Sequence, residues 1–277
     1  MKIKFWGTRG SIPVPGRETS IYGGNTTCLQ ITTDKTLLII DTGTGVRKLG
    51  IELCKQTKFK TINILYTHFH WDHVQGFPFF QPIFIPDFNV NIFGYVPKKQ
   101  ILSEIMQRQM NSPFCPVDFK KLKAKINIAA YDNDFKIGDI DIKSIANQHP
   151  NGSQALRFFH QKKDFSFITD NELGLLQKQK NWPEFLSFFE STQILIHDGM
   201  YINEEMPNVT GWGHSSIDEV FDLCQKVSAQ KGIYTHHNTE RTDSELKKIE
   251  KEYSKKAKQY KKRFSFFAAK EGMELTV

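Results

Sequence analysis

The chain has 277 residues, 39% hydrophobic and 24% charged, with a formal net charge of +7; this is length enough for a sizeable core and an ordinary globular composition. No stretch reaches the ~18 apolar residues that a membrane-spanning helix needs, and residues 1–7 lead into no apolar run of signal-peptide length. Cys28, Cys54, Cys115 and Cys224 are too scattered for a disulfide framework or a zinc knuckle, so a cytoplasmic protein with no membrane partner is expected.

Residues 3–6 read as a first strand, and Gly7-Thr8-Arg9-Gly10-Ser11-Ile12-Pro13 as a tight loop. After the turn Gly23-Gly24-Asn25-Thr26-Thr27, residues 28–32 form a second strand, and Asp34-Lys35 a hairpin turn. The run Leu37-Leu38-Ile39-Ile40 is continuously apolar, which predicts a strand buried on both faces. Asp41-Thr42-Gly43-Thr44-Gly45 ends it, and residues 46–53 suit a short helix.

A further apolar strand, Ile62-Asn63-Ile64-Leu65-Tyr66, stops at Thr67-His68-Phe69-His70-Trp71-Asp72-His73. Three imidazoles and a carboxylate at a strand end read as a metal site. His68 and His70 lie two apart, so an extended backbone turns both rings to one face, where one ion can take both. Asp72 and His73 follow after the chain has to bend and can hold a second ion beside the first. The competing reading, ordinary surface histidines, lacks a reason for the strand before the motif or for Gly76 and Pro78 after it.

Residues 77–86 are aromatic and proline-rich, either a substrate wall that stacks on a base or core beneath a loop. Residues 88–93 alternate as a strand, 98–109 have helical composition, and 135–145 form a hairpin ending at His149-Pro150. Residues 155–159 and 165–168 are the next strands, the second ending at Thr169-Asp170. Residues 172–190 read as helical for part of their length, interrupted by Pro183, and 193–196 as a strand leading into His197-Asp198. Gly211-Trp212-Gly213-His214-Ser215-Ser216 precedes a helix to about residue 230, capped by Ser215 or Ser216 with Glu219. Residues 232–235 end at His236-His237, either of which can be a ligand. Between 247 and 263 nine basic residues stand against two acidic ones, a helix that attracts phosphate-rich partners or simply faces solvent. Residues 264–277 close the sheet. No repeat or linker divides the chain, so a single domain over 1–277 is expected. His68, His70, His149, Asp170 and His236 all follow strand ends, which lets one sheet edge bring them together.

His68, His70, Asp72 and His73, after Ile40-Asp41-Thr42-Gly43, resemble the metallo-β-lactamase-fold hydrolases. Residues 5–13 with Gly23-Gly24-Asn25-Thr26-Thr27-Cys28 are similar to the branch holding ribonuclease Z and cyclic-nucleotide phosphodiesterases. The resemblance implies an α/β fold, a four-layer αββα arrangement with two mixed sheets sandwiched between helices. It implies that His68, His70 and His149 hold one divalent metal ion, that Asp72, His73 and His236 hold another, and that Asp170 bridges them. The donors suit Zn2+, with Mn2+ or Fe2+ as alternatives. Asp198 and His214 match a carboxylate–histidine pair of ribonuclease Z-like enzymes, with Asp in place of that family's Glu. Such a carboxylate fixes the tautomer and raises the pKa, so that His214 can donate a proton. The branch also implies a homodimer, with residues 77–86 able to cover the pocket.

A water between two metals roughly 3.5–4 Å apart loses a proton near neutral pH and becomes a nucleophile. Catalytic parts are thus expected for Asp72, and for His214 with Asp198 on the leaving oxygen, a division that favours phosphodiesters over β-lactams, thioesters or lactones. Residues 194–214 contain no long Gly- and Lys/Arg-rich arm for gripping RNA. The expected substrate is therefore a small phosphodiester, a 3′,5′-cyclic nucleotide first, with RNA the runner-up on account of the basic helix. A non-catalytic metal-binding protein is the remaining class, and no ligand is missing that would favour it.

Overall fold

The computed structural model describes residues 1–55, 58–260 and 264–277. In chain order the first half comprises β1 (Lys2–Gly7), β2 (Cys28–Thr32), β3 (Leu37–Ile40), α1 (Val46–Lys55), β4 (Thr61–Tyr66), α2 (Trp71–Val74), β5 (Asn89–Gly94), α3 (Lys99–Gln109) and β6 (Lys125–Ala130). The second half comprises β7 (Asp134–Ile137), β8 (Ile140–Ala146), β9 (Gln154–His160), β10 (Lys163–Ile168), α4 (Leu173–Leu176), α5 (Trp182–Phe189), β11 (Ile194–Asp198), α6 (Met206–Val209), α7 (Ile217–Lys226), β12 (Lys231–Thr235), α8 (Asp243–Gln259), β13 (Ser265–Ala268) and β14 (Glu274–Thr276).

These strands make two mixed sheets of seven, ordered β14-β1-β2-β3-β4-β5-β6 and β13-β12-β11-β10-β9-β8-β7. In the first sheet β3 to β6 run parallel, and in the second β10 to β13 do. Alternation along the central strands explains the layering. Leu38 and Ile40 face the second sheet and meet Ile142, Leu156, Phe158 and Ile196. Leu37 and Ile39 face outward, onto Val46, Leu49 and Leu53 of α1 and Leu102 of α3. On the far side, Leu195 and Tyr234 face Phe185, Val220, Leu223, Leu246 and Tyr253 of α5, α7 and α8. A strand with helices on one face and a sheet on the other is apolar throughout, so the result is the expected four layers, helix, sheet, sheet, helix.

Several local expectations are corrected. The stretch 172–190 holds two helices, and Pro183 lies in the first turn of α5, where its missing N–H costs nothing. The helix after Ser216 stops at Lys226 rather than near 230, and Ser216 caps it with a reciprocal Glu219 box. The strand β6 was not anticipated, since it keeps one half-exposed face at the sheet edge. In residues 77–86, Phe77, Phe80 and Ile83 are fully buried and belong to the core, while Phe79 is exposed. The basic helix ends at Gln259; Lys261, Lys262 and Arg263, the end of the expected basic run, lie outside the described residues. Among the described residues no helix is long and apolar enough to cross a membrane.

Candidate metal centre

The C-terminal ends of parallel strands from both sheets open onto one edge of the sandwich. There β3 releases Asp41, β4 the motif 67–73, β10 Asp170, β11 Asp198 and β12 His236. Asp41, Asp170 and His236 adopt left-handed backbone angles (φ 57°, 51° and 59°), conformations that surrounding structure must enforce. His70 is the last extended residue of the motif, and Trp71–Val74 then turns into a single helical turn, so Asp72 and His73 face a different point from His68 and His70.

Two donor groups result. In the first, His70 Nδ1 lies 3.0 Å from His149 Nε2, and Asp170 Oδ2 lies 3.6 Å from His68 Nε2 and 3.7 Å from His149 Nε2. In the second, Asp170 Oδ1 lies 3.1 Å from His73 Nε2 and 3.3 Å from His236 Nε2. Asp72 Oδ2 completes it, at 3.3 Å from His73 Nε2 and 3.0 Å from His236 Nε2. Asp170 thus presents one oxygen to each group.

The residues fit a pair of divalent ions. Tetrahedral bonds of ~2.0–2.1 Å separate neighbouring donors by about 3.3 Å, which the distances above bracket. The far side of each ring decides which nitrogen carries a lone pair. His149 Nδ1 donates to the Gly213 carbonyl at 2.9 Å, which leaves Nε2 as a lone pair facing another nitrogen at 3.0 Å. His68 Nδ1 lies 3.1 Å from Thr67 Oγ1, whose proton goes to Asp41 Oδ2. His73 Nδ1 meets Asp41 Oδ2 at 2.8 Å. The inward nitrogens of His68 and His73 are buried without a hydrogen-bond partner. Buried polar atoms of this kind call for a partner, and a divalent cation held by these donors would supply one.

Electrostatics agree. Burial holds the pKa of His68 well down, and that of His149 down as well, despite Asp170. Burial also opposes protonation of His73 and His236, yet at His73 the surrounding Asp170, Asp72 and Asp41, and at His236 chiefly Asp170 and Asp72, outweigh it and raise both pKa values. The second group therefore draws in positive charge, which a divalent ion supplies. Ser11 N–H, at the tip of the glycine loop, donates to Asp72 Oδ2 at 2.9 Å. The loop does approach an anion, and the anion is this carboxylate.

His214 sits over both groups, its ring stacked on His236 (centroids 5.0 Å apart) and edge-on to His149 (5.3 Å). Asp198 Oδ2 holds His214 Nδ1 at 2.7 Å, while its Oδ1 accepts Met200 N–H at 3.0 Å. Burial opposes charging of His214, but Asp198 together with Asp170 and Asp72 holds its pKa up at about 9. His237, by contrast, turns away: its Nε2 donates to the Ala269 carbonyl and its ring packs between Tyr22 and Tyr234. It belongs to neither donor group.

The Beta-lactamase superfamily domain profile matches residues 36–237. The chain belongs to the β-lactamase superfamily. It is a metal-dependent hydrolase of that superfamily. Among curated relatives, ribonuclease Z of Picrophilus torridus is 22% identical over 88% of both chains, and ribonuclease Z of Pyrococcus horikoshii is 22% identical over 89% of both. Among solved structures, the metallo-β-lactamase fold protein YhfI from Bacillus subtilis superposes with a TM-score of 0.70 at 17% identity, covering 99% of each chain. A diphosphatase of the PhnP family superposes with a TM-score of 0.69 at 15% identity, covering 100% of this chain and 97% of the other. These likenesses establish the fold.

Three further residues around the site carry no role in the sequence reading, where Asp41 appears only within the motif Ile40-Asp41-Thr42-Gly43. Asp41 is fully buried and accepts Thr67 N, Thr67 Oγ1 and His73 Nδ1, each at 2.8 Å. Asn171 accepts Gln148 N at 2.9 Å and reaches His197, and Glu172 receives the N–H groups of Gly211 and Gly213. The signal for Asp41 was an acidic residue directly after a two-face-buried strand, and for the other two a polar pair directly after Asp170.

Proposed function

We propose that the protein is a dinuclear-metal phosphodiesterase that hydrolyses a small phosphodiester, with 3′,5′-cyclic nucleotides as the first candidates. The observation that carries this reading is the Asp198–His214 pair seated on His149 and His236. Hydrolysis of a phosphodiester needs charge offset at the phosphorus and a proton for the leaving oxygen, and the two needs fall to different parts of the site.

In this reading His68, His70 and His149 hold one ion, Asp72, His73 and His236 the other, and Asp170 spans them. When bound, such a pair of ions activates a water near neutral pH and offsets charge on the non-bridging oxygens. Asp198 fixes His214 with Nδ1 inward, so Nε2 is the atom that delivers the proton. Asp41 holds His73 in register, and Ser11 N–H steadies Asp72. Zinc is the metal of choice for these donors, with Mn2+ and Fe2+ as competitors.

A compact substrate is supported by the connection between β11 and α7, which contains only the four-residue α6 and no projecting arm. The second reading, an RNA phosphodiesterase, is favoured by the two relatives named ribonuclease Z. We extend the proposal to a homodimer through the exposed Trp71, Phe79 and Phe114, which border one apolar groove.

Hydrolysis of bis(p-nitrophenyl) phosphate with and without chelator tests the chemistry; turnover that ignores the chelator overturns it. His214→Ala should lower kcat at least a hundredfold with metal content unchanged. A panel of cyclic nucleotides against short RNAs decides between the substrates.

A further inference from the structure

Beside the first donor group lies an open cavity of about 760 Å³, with His70 on its wall. Its volume falls within the ~300–1,000 Å³ typical of small-ligand sites, far more than a phosphate and a water occupy. The proposed proton donor His214 is not among its lining residues, so the cavity extends away from that side.

Its lining is chemically specific. Gln154 opens β9, where its backbone N–H bonds the Thr67 carbonyl at 3.1 Å and so ties the second sheet to the metal motif. The residue is only 5% exposed, yet its side-chain amide has no hydrogen-bond partner among the described residues. The amide is not sealed from solvent, so its donor and its acceptor are open to what enters the cavity. Phe69 and Tyr95 supply aromatic surface on the same wall. Phe69 is braced by Tyr66 (ring centroids 5.6 Å), and Tyr95 by the buried Tyr131 (5.7 Å). Arg108, in the last turn of α3, lines the cavity without an ion pair to any described residue.

We infer that this cavity is a nucleobase subsite, in which Gln154 reads the hydrogen-bonding edge of the base, Tyr95 stacks on its face, and Arg108 pairs with a substrate phosphate or ribose oxygen. The inference rests on the phosphodiesterase reading and deepens it. A primary amide offers a donor and an acceptor side by side, matching the edge of a base. An aromatic face stacks on any base, and a guanidinium is the natural partner of phosphate oxygens. The same chemistry fits the base of a cyclic mononucleotide or that of an RNA residue beside the scissile bond.

The test compares two esters with one leaving group, thymidine 5′-(p-nitrophenyl phosphate) and methyl p-nitrophenyl phosphate, on the metal-loaded protein. The nucleoside ester should show at least tenfold higher kcat/KM. Gln154→Leu should remove about tenfold of that advantage through KM, with the methyl ester unchanged within twofold. Arg108→Ala, a substitution at an exposed position, provides a second variant that should also weaken the nucleoside ester selectively, and Tyr95→Phe should keep what Tyr95→Ala loses. Equal rates for the two esters in the wild type, or equal losses for both in Gln154→Leu, overturn the inference and leave the phosphodiesterase reading standing. If neither ester is cleaved, that reading fails, and calorimetric titration with AMP, GMP, CMP, UMP and inorganic phosphate still decides the subsite. Tighter binding of one nucleotide than of phosphate, lost in Gln154→Leu, supports it, and equal binding overturns it. Cyclic mononucleotides run against short RNAs then identify the source of the base.

Discussion

Glu172 accepts the backbone N–H of Gly213 at 2.9 Å, and Gly213 gives its carbonyl to His149 Nδ1, also at 2.9 Å. The same buried carboxylate takes the N–H of Gly211 with both oxygens at 2.9 Å, and it stands two residues after Asp170. One anion, with no ion pair to any described residue, thus fixes the loop that carries His214 against the strand exit that carries Asp170. Gly213 has no room for a side chain, because a Cβ there would lie 2.1 Å from His149 Nδ1 and its φ is +87°.

Glu172→Ala leaves the buried N–H of Gly213 unpaired, at ~1–3 kcal/mol, while the N–H of the exposed Gly211 turns to water. The expected result is a loss of about 1–3 kcal/mol in urea unfolding and a tenfold or larger fall in kcat, because His214 loses its register. Glu172→Gln, which keeps one acceptor oxygen, should recover part of both. Wild-type stability in Glu172→Ala would refute this role.

Asp41 orients His73 from behind, and outer partners of this kind set metal affinity by ~10–100-fold. Asp41→Asn should weaken the second ion by that factor and the first by less, since Asp41 meets His73 directly but reaches His68 only through the Thr67 hydroxyl. Competition against a chromogenic chelator resolves the two, and a first ion weakened more than the second would contradict this assignment of Asp41.

How much of this was legible follows from where the information sits. The strand buried on both faces announced itself as an apolar run, residues 37–40 matching β3 end for end, and residues 28–32, placed by the turn before them, match β2. His68, His70, Asp72 and His73 were visible because their spacing is local. His149, Asp170 and His236 were placed through strand ends and resemblance, since no local pattern marks them. Glu172 escaped because its work is done on backbone N–H groups 39 and 41 residues away, which leave no trace in composition. Pro183 was misjudged as a break because a proline in a first helical turn and one in a helix interior look alike in sequence.

The donor groups place Asp41, Asp72 and Asp170 around buried imidazoles, so a divalent cation should bind the folded chain and not the unfolded one. Saturation at a hundred times Kd is worth about 2.7 kcal/mol per site, several degrees in Tm for a chain of this size. Zinc or manganese added to chelator-treated protein should therefore raise Tm by at least 5 °C, and Asp170→Asn should abolish most of the rise. Identical melting curves with and without metal would count against both donor groups.

Away from the metals, Asp139 pins the β7–β8 hairpin to the β2–β3 turn. Thr33 and Thr36 hydroxyls donate to its Oδ1 at 2.8 and 2.6 Å, and His160 Nε2 lies 3.0 Å from its Oδ2. Burial works to raise the Asp139 pKa, but these hydrogen bonds, Thr36 first, outweigh it and bring it down to about 2. An unfolded aspartate titrates near ~3.9, so folding favours the ionised form. The stabilisation is complete above the unfolded pKa and is lost as pH falls through the folded one. The gap in urea midpoint between wild type and Asp139→Asn should therefore be constant from pH 7 to 5 and close progressively between pH 4 and 2. A gap that widens over that interval would mean that Asp139 is held protonated in the fold and that the two threonine hydroxyls serve another acceptor.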